Sequence, residues 1–109
     1  MFGLSNEVYL KIMNIVKKYK YDFYIFGSRA RRDYKKNSDI DIAIYGEVTD
    51  KEEFYIRNDF DIINIQYTVD LIFVNKIEKQ QLLDSIKKEG IKLNGKIWTK
   101  KRKFFQCFK

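Results

Sequence analysis

Five residues in the first two thirds of the chain have the types and spacing needed for metal-dependent phosphate chemistry. Gly27 and Ser28 are followed, after ten intervening residues, by Asp39 and Asp41, and a third acid, Asp70, lies in a later apolar run. Carboxylate oxygens are hard ligands that suit Mg²⁺, which also keeps phosphate oxygens and water in its shell. Three carboxylates that face a glycine-serine turn therefore predict Mg²⁺-dependent chemistry on a nucleoside triphosphate, with two ions clamping the attacking and leaving oxygens.

The carboxylates must be brought together by strands. Residues 39–45 alternate strictly between polar and apolar side chains over the first half of the segment, so that Asp39 and Asp41 share one face of a strand and the isoleucines pack on the other. If the strand that carries Asp70 pairs with it in register, the three acids converge, and a divalent cation would relieve their repulsion. The alternative is that Asp39 caps a loop and Asp70 is an ion-paired acid. We favour the metal site because an acid within an apolar run is costly without a partner.

The glycine-serine turn connects a strand to a short helix. Residues 22–26 form an apolar, aromatic run that predicts a buried strand ending at Gly27. Residues 28–34 are predicted to be helical with Ser28 as the N-cap, so free backbone N–H groups would point at an anion. Arg29 is close enough in sequence to bind the same phosphates, although a solvated helix face explains it equally well. Alone, the turn would be an ordinary helix cap; together with the acids it predicts a nucleotide site.

The remaining elements predict a small α/β domain. Residues 5–20 form an amphipathic pattern, and a helix is expected from Thr49 or Asp50 to residue 64. Another helix is expected over residues 78–88, with Gly90 just beyond its end, and residues 91–98 are expected to be a short strand. Helices that alternate with strands indicate helices packed on a sheet.

Composition excludes several other kinds of site. The chain has 109 residues, enough for one domain and too few for two. It contains no histidine, which excludes His-based nucleophile arrangements and His-based metal sites. Its single cysteine, Cys107, cannot form an internal disulfide and fits a reducing cytoplasm. Glu7, Lys11 and Asn14 interrupt the apolar N-terminal pattern, so we expect neither a signal peptide nor a membrane span.

The positive charge is concentrated at the C-terminus. The net charge is +7, yet residues 1–98 carry 17 basic and 15 acidic side chains, whereas residues 99–109 carry five basic and no acidic ones. We therefore divide the chain into a domain, residues 1–98, and a basic tail, residues 99–109. The phenylalanines in this tail would allow contact with nucleic acid through stacking. The favoured interpretation is an extension that is unstructured or docks on a partner, and nucleic acid is not an expected partner.

Three segments carry a family resemblance. Residues 26–31, 38–42 and 69–72 resemble the signature segments of the DNA polymerase β-like nucleotidyltransferase superfamily. The size of the chain resembles that of the minimal nucleotidyltransferases (MNT), which are commonly the antitoxins of HEPN–MNT toxin–antitoxin pairs. The resemblance covers about residues 5–98. It implies a mixed β-sheet with helices packed on it, and the use of Mg²⁺ and ATP to transfer AMP to a hydroxyl.

The resemblance also assigns roles by position. Gly27 and Ser28 would hold the triphosphate, and Asp39 and Asp41 would hold the metal ions. Asp70 would complete the metal site and help to deprotonate the acceptor hydroxyl.

One residue departs from the pattern of the family. Members often have glycine at the position of Arg32, the residue that follows the segment 26–31. Arginine is a good helix former, so Arg32 is expected to continue the helix that begins at Ser28. It could also contact a phosphate or a partner.

The length of the chain indicates what kind of molecule could accept the AMP group. The resemblance implies that larger members of the superfamily use a further domain to hold the molecule that accepts AMP, and this chain has no room for one. A macromolecular acceptor is therefore expected, and the resemblance implies a tyrosine of a HEPN-type toxin. The alternative is a non-catalytic antitoxin that neutralises its partner by forming a complex.

Overall fold

Helices and strands alternate along residues 1–94, the part of the chain that the computed structural model describes. The helices are α1 (Asn6–Val16), α2 (Ser28–Arg31), α3 (Asp50–Ile62) and α4 (Gln80–Glu89). The strands are β1 (Asp22–Phe26), β2 (Ile40–Tyr45), β3 (Val69–Phe73) and β4 (Ile91–Lys92), and a turn of 3₁₀ helix, Val74–Lys76, follows β3. No helix within residues 1–94 has the length and apolar character needed to cross a bilayer.

The four strands form one mixed sheet in the order β3-β2-β1-β4. β1 is antiparallel to both β2 and β4, whereas β2 and β3 are parallel because α3 carries the chain back between them. This confirms the predicted α/β domain with a mixed sheet. Among the described strands β3 lies at an edge, so it presents one side to solvent.

The alternation predicted for β2 gives the sheet two different faces. Ile40, Ile42 and Ile44 are fully buried on the face that α1 and α3 cover. The helices contribute apolar stripes with a period close to 3.6 residues, as an amphipathic helix requires. The main core contributions of these two helices are Ile12, Met13, Ile15 and Val16 from α1 and Ile56 and Phe60 from α3.

The opposite face of the sheet is covered only in part. Ile86 of α4 packs there with Phe26 and Ala43, and Leu82 borders the same small cluster. Because Ala43 follows Asp41 by two residues, both lie on this face. α4 therefore covers the face beyond Asp41 while leaving the carboxylate beside an open groove.

Helix ends differ from the predictions by a few residues. α1 ends at Val16 rather than residue 20, and α3 ends at Ile62 rather than residue 64. The predicted start of α3 was Thr49 or Asp50, and Thr49 is its N-cap. The Oγ of Thr49 accepts a hydrogen bond from the backbone N–H of Glu52 at 3.1 Å. Gly90 follows α4 with a φ of −65°, so the left-handed conformation that a C′ glycine supplies is not used there.

The final strand is shorter in the described residues than the pattern indicated. Only Ile91–Lys92 pairs with β1, and the rest of the predicted strand from residue 95 onward lies outside the described residues. The basic tail, residues 99–109, also lies outside them, so the division of the chain at residue 98 stays a prediction.

Candidate active site

The parallel pairing of β2 with β3 brings two of the three predicted acids together. Asp41 and Asp70 are direct register partners in this pairing. Asp41 is half-buried, whereas Asp70 is exposed. Although Asp70 lies within an apolar run, its side chain is exposed, whereas Val69, Leu71 and Phe73 on the other face of β3 pack in the main core.

The Asp41 carboxyl has an unusual electrostatic environment. Burial, followed by the negative charges of Asp70 and Asp39 and a hydrogen bond shared with Asp70, raises the pKa of Asp41 from 3.8 to about 6. The positive charge of Arg31 opposes this rise in the pKa and is the weakest of the influences. No Lys or Arg within residues 1–94 forms an ion pair with any of the three acids. The site therefore has an excess of negative charge that a cation would neutralise.

Asp39 stands slightly apart from this pair. It immediately precedes β2 and is exposed, and its charge still acts on Asp41. Within residues 1–94 no three acidic or cysteine side chains form a ready-made metal cage.

The donor set nevertheless fits Mg²⁺. This ion is usually held by one or two carboxylates, with substrate phosphates and water as its other ligands, rather than by an all-protein cage. Asp41 and Asp70 supply such a pair of oxygen donors beside an open groove.

Gly27 lies against the Asp41 side chain. It pairs with no strand residue itself but directly follows Phe26, the register partner of Asp41. Its φ is +75°, and a Cβ at this position would lie 2.4 Å from Oδ2 of Asp41. Both the backbone conformation and the space therefore require glycine.

The turn after β1 differs in detail from the prediction. Gly27 rather than Ser28 is the N-cap, and its carbonyl accepts hydrogen bonds from the backbone N–H groups of Ala30 and Arg31 at 3.1 and 3.0 Å. Ser28 is the first helical residue. The N–H groups of Ser28 and Arg29 belong to the first turn, whose donors have no acceptor within the helix. These two donors directly follow Gly27, the residue that lies against the Asp41 carboxyl.

The expectation that Arg32 continues the helix is wrong. α2 ends at Arg31, and Arg32 takes the left-handed conformation with a φ of +73° while its N–H donates to the carbonyl of Ser28. Glycine adopts this conformation without strain, whereas in other residues Cβ comes too close to the following carbonyl oxygen. Glycine at this position would therefore relieve the strain.

Arg29 is placed away from the position that the sequence suggested. Its side chain is only 1% exposed. Nε and one terminal nitrogen donate to the carbonyl of Ser38 at 3.2 and 2.8 Å, and the other terminal nitrogen donates to the carbonyl of Phe2 at 2.9 Å. Tyr34 and Tyr67 cover the guanidinium, with ring centroids at 5.1 and 4.7 Å. Because these carbonyls and rings already contact the guanidinium, we do not include Arg29 among the nucleotide ligands proposed below.

An open groove of ≈ 440 Å³ runs along the edge strand beside the paired acids. Pockets of this size accept small-molecule ligands. Arg57 and Asp61 of α3 and Leu82 of α4 line it together with Asp41 and Asp70. Arg57 and Asp61 were not singled out from the sequence, because no local motif marks residues that reach the site on a crossover helix.

Comparison with known proteins agrees with this geometry. The family model described as polymerase beta, nucleotidyltransferase, matches residues 10–96. The fold is similar to a chain in the crystal structure of a toxin–antitoxin with AMP-PNP, with a TM-score of 0.59 and 21% identity over 77% of this chain and 70% of that chain. A structure from Sulfolobus solfataricus, assigned as a nucleotidyltransferase, gives a TM-score of 0.45 and 22% identity over 78% and 74% of the two chains. No curated protein is significantly similar in sequence. Because the family model spans most of the chain, including the glycine-serine turn and the paired acids, this protein belongs to the polymerase β nucleotidyltransferase family.

Proposed function

We propose that the protein is a Mg²⁺-dependent nucleotidyltransferase that transfers AMP from ATP to a hydroxyl of a partner protein. The observation that carries this proposal is the pairing of Asp41 with Asp70 in adjacent strands, directly against the turn at Gly27. A protein that only bound a partner would not need a pair of carboxylates in an open groove, one of which, Asp41, has a pKa raised by burial and by the charge of Asp70.

The reaction proposed is a displacement at the α-phosphorus of ATP. The acceptor hydroxyl oxygen attacks this phosphorus and forms a new P–O bond. The bond from the α-phosphorus to the oxygen that bridges to the β-phosphate breaks, and pyrophosphate leaves with that electron pair. The hydroxyl proton passes to a carboxylate, for which Asp70 is the proposed acceptor because it is the exposed member of the pair.

The residues of the chain divide into those that hold the nucleotide and those that hold the metal. The backbone at Gly27 and Ser28 is proposed to bind the triphosphate, and Asp39, Asp41 and Asp70 are proposed as metal ligands. Magnesium, when bound, would offset the charge that develops on the phosphate oxygens. Without it, the three acids would repel a triphosphate rather than bind it.

The acceptor is proposed to be a protein rather than a small molecule. The described residues form one sheet with its helices and include no second domain that could enclose an acceptor. The similarity of the fold to a chain of a toxin–antitoxin complex supports a partner of that kind. We propose a cognate HEPN-type toxin in the cytoplasm, modified on tyrosine, with this protein as its antitoxin.

The test is intact-mass spectrometry of the partner after incubation with the full chain, Mg²⁺ and ATP. The product of the neighbouring gene serves as the partner. We expect a gain of one or more AMP units, abolished by Asp41→Asn. Asp84→Asn, which removes an exposed carboxylate of α4 outside the groove, is the matched control and should leave the transfer unchanged.

The same experiment separates catalysis from simple complex formation. If the partner is inhibited within a tight complex but gains no mass, and Asp41→Asn inhibits it equally well, the protein acts by occlusion. That result would contradict the proposed transfer.

A further inference from the structure

A buried guanidinium connects three segments around the paired acids. Arg29 is the one charged residue within residues 1–94 that belongs to the buried set. Its hydrogen bonds reach the carbonyl of Ser38, which immediately precedes Asp39, and the carbonyl of Phe2, the second residue of the chain. A buried charge is costly unless it is hydrogen-bonded, so these bonds define where the carbonyls that accept them must lie.

The aromatic contacts of Arg29 extend this connection to the third acid. Tyr67 lies three residues before Asp70, and its ring faces the guanidinium with a centroid distance of 4.7 Å. Tyr34, in the loop between α2 and β2, covers the guanidinium as well, at 5.1 Å. A cation over an aromatic face is held by the ring quadrupole, and desolvation strengthens that attraction.

The loop that precedes Asp39 is closed by bonds that complement those of Arg29. The hydroxyl of Ser38 accepts from the backbone N–H of Lys35 at 2.7 Å, and the N–H of Ser38 donates to the carbonyl of Lys35 at 3.0 Å. The Ser38 carbonyl is therefore left to Arg29. The next backbone bond, from the N–H of Ile40 to the carbonyl of Thr68 at 2.9 Å, begins the pairing of β2 with β3.

We infer that Arg29 is a positioning residue, which fixes the segments that precede β2 and β3 and so holds Asp70 beside Asp41, with Asp39 nearby, at the proposed metal site. This inference rests on the proposed function and deepens it, because it assigns to the motif arginine a role that acts through the carboxylates rather than on the nucleotide. Arginine suits the role because its planar fork can donate to two carbonyls and stack on rings at once. The ammonium group of lysine cannot reproduce this geometry.

The test measures the affinity of Mn²⁺ for the full chain in the presence of an ATP analogue that cannot be cleaved between its α- and β-phosphates. Paramagnetic enhancement of water relaxation reports the bound ion. Supporting groups behind metal ligands typically change metal affinity 10- to 100-fold when they are replaced. We expect Arg29→Lys to weaken Mn²⁺ binding by about 10-fold or more, while the affinity for the analogue without metal stays unchanged.

Two further variants keep the test decisive. Tyr67→Leu removes the ring that faces Arg29 and leaves the guanidinium bonds in place, so it should weaken Mn²⁺ binding in the same direction and serves if Arg29→Lys does not fold. Tyr19→Phe removes a hydrogen bond that joins the segment between α1 and β1 to Asp59 of α3, and neither residue lines the groove. It should lower stability without changing Mn²⁺ affinity.

The outcomes separate the inference from the proposed function. Wild-type Mn²⁺ affinity in Arg29→Lys and Tyr67→Leu, or an equal loss in Tyr19→Phe, would overturn the positioning role alone. A weaker affinity for the metal-free analogue in Arg29→Lys would instead support direct nucleotide binding and also overturn it. If the wild-type chain does not bind Mn²⁺, or if Asp41→Asn binds it equally well, the proposed metal site itself is overturned.

Discussion

At the scale of single residues, Asp41 shows why this site needs a cation. Its carboxyl is half-buried, paired with Asp70 and under the influence of Asp39, and these surroundings raise its pKa to about 6. An acid whose charged form is disfavoured in the folded state lowers the free energy of unfolding when it ionises. The same arrangement that destabilises the metal-free protein makes a bound cation favourable.

This leads to a prediction about pH. Since the pKa of Asp41 is higher in the folded than in the unfolded protein, its contribution to stability is present at low pH and lost as the pH rises from about 4 to about 6. We therefore expect urea denaturation in EDTA at several pH values to show that the free energy of unfolding of Asp41→Asn rises relative to that of the wild type across this pH range. After allowance for solvent screening, we expect a gain on the order of 1 kcal/mol. A difference that stays constant from pH 4 to pH 7 would contradict the assigned environment.

The second prediction concerns Gly27. Alanine here would strain a φ of +75° and bring Cβ within 2.4 Å of Asp41 Oδ2. We expect Gly27→Ala to lose about 1–2 kcal/mol of stability and about 100-fold in AMP transfer, since small displacements of reacting groups have effects of that size. Gly46→Ala is the matched control.

Gly46 also has a positive φ, +133°, and an added Cβ would lie 2.5 Å from a ring carbon of Tyr21. It follows the end of β2, remote from Asp41. We therefore expect Gly46→Ala to lose stability but to retain transfer at a temperature where both variants are folded. Equal activity in the two variants would show that the conformation of Gly27 does not matter to the site.

At the scale of elements, the sequence predicted the strands better than the short helix between them. The alternation in β2 and the apolar runs in β1 and β3 correctly indicated three strands, and Asp41 and Asp70 are register partners in two of them. The end of α2 could not be predicted, because arginine has a high helix propensity and only the packing of the turn forces Arg32 into the left-handed region. For the same reason the burial of Arg29 was not predicted: a helix of one turn has no periodicity that identifies its inner face.

The third prediction follows from the strain at Arg32. Arg32→Gly should stabilise the protein by about 0.5–1 kcal/mol, since glycine has no Cβ to conflict with a φ of +73°. For a domain of this size the thermal midpoint should rise by about 2–6 °C.

Arg32→Ala is the control, because it removes the same side chain and keeps the Cβ. Calorimetry should show no rise in its midpoint. A similar rise in both variants would attribute the effect to loss of the arginine charge rather than to backbone strain.

At the scale of the whole molecule, the strand order explains how distant residues form one site. Asp41 and Asp70 are separated by the whole of α3, yet the parallel return of the chain makes them neighbours. The motifs indicated which residues should meet, whereas the edge position of β3 and the groove residues of α3 depend on the tertiary arrangement.

The most direct measurement is calorimetric titration of the full chain with an ATP analogue that is not cleaved between its α- and β-phosphates, with and without Mg²⁺. The account predicts at least a tenfold tighter Kd with Mg²⁺ for the wild type, and equally weak binding under both conditions for Asp41→Asn. Binding by the wild type that is indifferent to Mg²⁺, or equal affinities of the wild type and the variant with Mg²⁺ present, would contradict a nucleotide site built on these carboxylates.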